Sequence, residues 1–305
     1  MKNQPRRRPV YGNLPAQTPA RKKHGSGLFK LIVLVVLLSG GYLLIKNASL
    51  PAGLDHFKNK AKAAIAQPKP VLSAAQATQM AGQINAVIQN NPGMDIGVAI
   101  QDLNSGKSYH YGVSDPFVAA SVSKVLTATL FLHQVEAGQQ TLNESVGGYS
   151  ASYELQQMIE QSDNDAWQNL NDLLTHDSLE AYATQIGLSN YDPDQNTLTV
   201  DDISLLLGKI YNHKLLNTSH TSLLLSYMKD ANFDSYIPAS VPAGIKVYHK
   251  AGWLDDRVHD AAIIDNGKHP YVLVIFTKDD SGTYDDTAGH QIFSGITTAT
   301  TKVFL

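Results

Sequence analysis

The sequence predicts an α/β protein, with one antiparallel sheet flanked by helices, an all-helical lobe beside it, and one transmembrane helix in front. Three observations carry this expectation. Strand-like apolar patterns occupy both ends of residues 71–305, and helical spacing fills the stretch between them. A hairpin signal, Asp265-Asn266-Gly267-Lys268, joins two apolar runs near the C-terminus. A nearly unbroken apolar run at residues 31–45 follows a basic segment.

Taken in order, residues 1–26 hold Arg6, Arg7, Arg8, Arg21, Lys22 and Lys23 among prolines, without apolar periodicity, and read as a basic cytoplasmic tail. Residues 27–45 read as the membrane anchor, with Lys30 able to snorkel to the interface. The run also matches the length of a cleavable signal-peptide core. A long preceding tail and the distance to the first small-x-small site, Ala64-Ile65-Ala66, favour the anchor. The positive-inside rule then places the rest of the chain outside the cytoplasm, although Lys46, Lys58, Lys60 and Lys62 weaken the asymmetry. Residues 46–70 read as a stalk, stiffened at Gln67-Pro68-Lys69-Pro70.

The folded domain is expected at residues 71–305. Met80, Ile84, Val87 and Ile88 predict a helix over 74–89, stopped at Asn90-Asn91-Pro92-Gly93. Residues 95–103 and 108–112 read as strands joined by Asn104-Ser105-Gly106. Helical spacing returns at 121–136, 152–185 and 200–213. Strands are expected at 246–249, 258–264 and 271–277, the last too apolar to be anything but central, before a closing helix at 286–303.

Composition narrows the function classes. Of 305 residues, 43% are apolar and 17% charged, which suits a chain with a real core. A net charge of −3, with a cluster of cations set apart in the tail, leaves no global basic field for nucleic acid. The absence of cysteine excludes disulfides, thiolate sites and a lipidated-cysteine anchor. His110, His133, His249 and His259 lack ligand spacing, so neither a metal nor a cofactor is expected. No Gly-x-Ser-x-Gly elbow is present, which removes an α/β-hydrolase.

Three short motifs occur in sequence: Ser121-Val122-Ser123-Lys124, Ser162-Asp163-Asn164 and Lys250-Ala251-Gly252. Each has an ordinary reading, as helix cap, loop cap or strand-end turn. Their order and setting say more. Ser121 opens an apolar helix, where backbone N–H groups can face an oxyanion, and Lys124 shares its helix face. A lysine buried near other cations loses its proton near neutrality and can serve as base.

Together these motifs resemble those of penicillin-binding proteins and class A β-lactamases, and the likeness spans roughly residues 74–305. The resemblance implies that Ser121 attacks a carbonyl and becomes acylated while Lys124 takes or relays its proton. It implies that Ser162 passes the proton to the leaving nitrogen, Asn164 binds the substrate amide, and Lys250 attracts its carboxylate. The backbone N–H groups of Ser121 and Trp253 would form the oxyanion hole, worth about 3 kcal/mol per donor. Ala251 and Gly252 would flank the substrate, the glycine allowing it close to the backbone.

Two departures bear on substrate. Ala251 stands where the family carries Thr or Ser, and the missing hydroxyl weakens the grip on penicillins by about 1–2 kcal/mol. Where class A enzymes read Glu-Pro-Glu-Leu-Asn, this chain reads Asp192-Pro193-Asp194-Gln195-Asn196. Asp192 is either a shortened deacylating base or an acidic turn residue. The expected function is thus an acyl-serine hydrolase that opens a β-lactam or related amide. The alternatives are a D-Ala-D-Ala carboxypeptidase with slow deacylation, acting on peptidoglycan stem peptides, or a non-enzymatic wall or β-lactam sensor. The expected location is the outer face of a Gram-positive cell membrane, held by the N-terminal helix.

Overall fold

The computed structural model describes residues 72–305. The tail, anchor and stalk read from the sequence lie outside those residues. Among the described residues no helix is long and apolar enough to cross a membrane.

The described chain begins with α1 (Ala74–Gln89), whose N-terminus is closed by a capping box between Ser73 and Gln76. The hairpin β1 (Met94–Asp102) and β2 (Ser108–Gly112) follows, then the short β3 (Phe117–Val118) and a 3₁₀ turn at Ala120–Ser123. Next come α2 (Lys124–Glu136), β4 (Ser145–Val146), β5 (Tyr149–Ser150), α3 (Ala151–Glu160), α4 (Asn164–Leu174) and α5 (His176–Gln185). After β6 (Thr197–Leu198) run α6 (Val200–Tyr211) and α7 (Thr218–Lys229). The chain returns to the sheet through β7 (Lys246–Leu254), β8 (Arg257–Asp265) and β9 (Tyr271–Asp279), and ends in α8 (Asp286–Phe304).

The sheet has five strands in the order β2-β1-β9-β8-β7, every pairing antiparallel. The expected central strand is central, as its unbroken apolar run requires. Its alternate residues serve two cores. Leu273 and Ile275 pack with Met80 and Ile84 of α1 and Ile292, Phe293 and Ile296 of α8. Val272, Val274 and Phe276 face the helical lobe, joining Leu126 and Phe131 of α2 and Ile203 and Leu207 of α6. Each such side chain contributes about 1.5–3 kcal/mol on burial.

Several expectations are corrected. The helix expected from Ser121 starts at Lys124, because Ser121 lies in the 3₁₀ turn. The stretch 152–185 is three helices, broken where Ser162 and Thr175 take positive φ of 58° and 70°. Strand β7 continues through Leu254, so Lys250 lies within it rather than closing it. Helix α7 has no counterpart in the sequence reading. Only Thr221, Leu224 and Met228 of it are buried, too thin an apolar stripe to stand out.

Candidate active site

Two strands and a turn hold the nucleophile candidate in place. β3 pairs with β6, the Ala119 N–H donates to Asn196 O at 2.8 Å, and Asn196 Nδ2 donates to Ala120 O at 3.1 Å. His259, buried and edge-on to Phe117, places Nε2 at 3.0 Å from Val118 O. Burial pushes its pKa down to about 4, so it is neutral and Nε2–H can donate there. Ala120, next to Ser121, has φ of 50°, a conformation that costs a non-glycine residue about 1 kcal/mol.

Strand β7 passes so close to this turn that a Cβ on Gly252 would lie 2.6 Å from Ser121 N. The glycine is therefore required by the chain's own packing, a stronger reason than room for a substrate. It sets Trp253 beside Ser121, and both line one cleft of about 610 Å³ with Ser162, Asn164, Trp167 and Asn196.

Both lysines are fully buried. Lys124 Nζ donates to Ser162 O at 2.6 Å and to Asn164 Oδ1 at 2.7 Å, and lies 5.4 Å from the centre of the Trp167 ring. Lys250 Nζ donates to Ser162 Oγ, and to Ala251 O at 3.0 Å. The amines thus meet on Ser162, one at its hydroxyl and one at its carbonyl. Its φ of 58° presents both atoms to them. Asp163 caps α4 through the Ala166 N–H at 2.9 Å, so the ordinary capping reading of this motif holds for its middle residue. Burial lowers the Lys124 pKa to about 8, with Asp163 opposing. Burial and the neighbouring Lys124 lower that of Lys250 to about 7, with Asp260 opposing.

The remaining predicted residues are placed as follows. Ala251 is buried. Asp192 is exposed and outside the cleft lining, and its Oδ1 accepts the N–H groups of Asp194 at 2.9 Å and Gln195 at 3.0 Å. Asn196 was not singled out from the sequence as a site residue. It lines the cleft and its Oδ1 is buried without a hydrogen-bond partner. Its φ of 51°, in the turn opened by Pro193, is the local signal that could have marked it. Among the described residues no group of three or more His, Asp or Glu is placed to hold a metal ion.

The profile of the Beta-lactamase enzyme family matches residues 79–304. The chain belongs to this family. Three solved structures illustrate the likeness. A point mutant of PBP-A, an acyl-enzyme complex with penicillin G, is 25% identical with a TM-score of 0.68, over 74% of this chain and 96% of that one. A β-lactamase from Xanthomonas campestris pv. campestris is 20% identical with a TM-score of 0.67, over 73% of this chain and 97% of that one. An ancestral class A β-lactamase is 20% identical with a TM-score of 0.68, over 74% and 100%. No curated protein sequence matches significantly. Family and fold together make this β-lactamase-family chain an acyl-serine hydrolase.

Proposed function

We propose that the enzyme opens a β-lactam or related amide by acylation of Ser121, and that the acyl-enzyme hydrolyses slowly. The observation that carries the first half is the pair of buried amines meeting on Ser162 beside Ser121 in one cleft. Lys124, with its pKa lowered to about 8, is a competent base for the Ser121 hydroxyl. Ser162, held by Lys250, hands a proton to the leaving nitrogen, and Asn164 binds the substrate amide. The N–H groups of Ser121 and Trp253 serve the oxyanion, and Lys250 draws the substrate's carboxylate.

The second half rests on the Asp192 carboxylate, which is engaged in its own turn and exposed to solvent. A general base must reach the attacking water, directly or through one more water. That observation supports the peptidase reading too, in which a slowly deacylating enzyme acts on peptidoglycan stem peptides. In this reading residues 27–45 tether residues 71–305 to the outer face of the cell membrane.

The test is the full chain in detergent, mixed with a chromogenic cephalosporin and followed by intact mass. A lasting adduct on Ser121, absent from Ser121→Ala, is expected. Rapid turnover without an adduct would rule out slow deacylation. Turnover that survives Ser121→Ala would remove the nucleophile.

A further inference from the structure

Three helices of the lobe end around a second cavity, of about 260 Å³, that shares no residue with the catalytic cleft. His133 reaches it from the last turn of α2, Tyr182 from α5 and Lys209 from the last turn of α6. Lys214, in the turn behind α6, completes the titratable groups on its lining. No carboxylate lines it.

Tyr182 is 4% exposed, and its hydroxyl has no hydrogen-bond partner. Burial first, and then the charge of Glu136, push its pKa up, so the phenol keeps its proton and has it to donate. A phenol buried without an acceptor forfeits the hydrogen bonds that water gave it, and a phenylalanine would fill the same space at lower cost. The His133 ring lies against it, 5.2 Å between centres and inclined at 35°. Neither the His133 nitrogens nor the Lys214 amine has a hydrogen bond or ion pair among the described residues.

Cations at helix C-termini have an ordinary role, since they complement the carbonyl end of the helix dipole. Lys209 fills it, because its Nζ donates at 2.5 Å to the carbonyl of Ile186, the residue that caps α5. That role does not extend to a neutral phenol, and no carbonyl receives the Lys214 amine. The nearby Glu136 does not answer them either. Its Oε1 accepts the Asn217 N–H at 2.8 Å and lies 2.8 Å from His220 Nδ1. Capping therefore accounts for one lysine and leaves a phenol, an amine and an imidazole around a space without an acceptor.

We propose that this cavity binds a small oxyanion, a phosphate or a carboxylate, through Tyr182, Lys214 and His133, with Lys209 adding its charge. Such an ion supplies both things the lining lacks, a set of acceptors and negative charge, and hydrogen bonds to an ionised acceptor are the strong ones. The space falls below the roughly 300–1,000 Å³ of sites for drug-sized molecules, which also suits an ion. The site lies beyond the acyl-serine reading and stands or falls without it.

The experiment uses the full-length protein in detergent, in a chloride buffer held at constant ionic strength. Sodium phosphate and sodium acetate are titrated separately by calorimetry. Saturation at one site per chain by either anion is expected, and which of them binds tells a phosphate site from a carboxylate site. Tyr182→Phe and Lys214→Gln should each weaken that binding about tenfold, the loss of one charge-assisted hydrogen bond. Thermal melts supply a second readout. In chloride alone Tyr182→Phe should melt at or above wild type, because the hydroxyl it loses has no partner. With the anion added, wild type should gain the more, since binding to the folded state alone raises its stability. Failure of both anions to saturate, or binding left unchanged by either substitution, overturns the site. So does a Tyr182→Phe protein that melts below wild type in chloride, which would mean that a buried water already serves the phenol.

Discussion

The two sides of the catalytic cleft are built to different standards. On one side, Lys124, Ser162 and Lys250 are buried, and their polar atoms are joined by hydrogen bonds. On the other, the 192–196 turn presents an exposed carboxylate bonded to its own backbone, and an Asn196 oxygen with no partner. Groups held rigidly out of water need no reorganisation when charge develops, so the first side is prepared for acylation. The carboxylate of the second is turned to its own backbone instead of the cleft. The contrast argues that forming the acyl-enzyme and hydrolysing it depend on separate parts of the chain, and that here only the first is preorganised.

The largest test of this contrast is to remove the prepared side. Ser121→Ala should abolish the cephalosporin adduct, lowering acylation by at least about a thousandfold, and Lys124→Met should come close to it. Residual acylation within tenfold of wild type in either variant would break the comparison. The same lysine sets a pH profile. It acts as a base only when neutral, which is the form present above its pKa of about 8. Acylation should therefore fall about tenfold for each pH unit below that value, and a flat profile between pH 6 and 8 would deny it the role.

A smaller effect concerns the support beneath the nucleophile. His259 is neutral in the fold, with a pKa of about 4 against 6.5 for the free side chain, so the unfolded chain binds more protons between those values. Its contribution is fully present above pH 6.5 and is lost as pH falls toward 4, by about 3 kcal/mol. Thermal melts of wild type should show this acid loss, and melts of His259→Phe should show a shallower slope in the same window. The smallest effect is expected at the unprepared side. Asp192→Ala should cost about 1 kcal/mol of stability by freeing two turn amides, yet change the lifetime of the adduct by less than about twofold. A tenfold longer lifetime would make Asp192 a working base and level the contrast.

Much of this was readable before any coordinates. The central strand announced itself by an unbroken apolar run, α1 by its spacing, and the hairpin by Asn266-Gly267. These are local signals, set by side-chain period and turn chemistry. Helix α7 escaped because it buries few residues, and the three helices of 151–185 merged because positive φ at Ser162 and Thr175 carries no mark in a non-glycine residue. At the site, the three motifs named the polar residues, but not Asn196 or Trp167, whose importance comes from the cleft they face.

Residue type and spacing determined that this chain would hold a sheet with a helical lobe, and that a serine and two lysines stood in the order of one enzyme family. Only the tertiary structure decided that the amines meet on Ser162, which is 38 residues from one and 88 from the other. It also decided that Gly252 serves the chain's own close approach to Ser121, and that the Asp192 carboxylate is occupied. The physical reason is that periodicity and capping act over a few residues. Burial, lowered lysine pKa values and shared hydrogen-bond acceptors arise only when distant segments exclude water from the same volume.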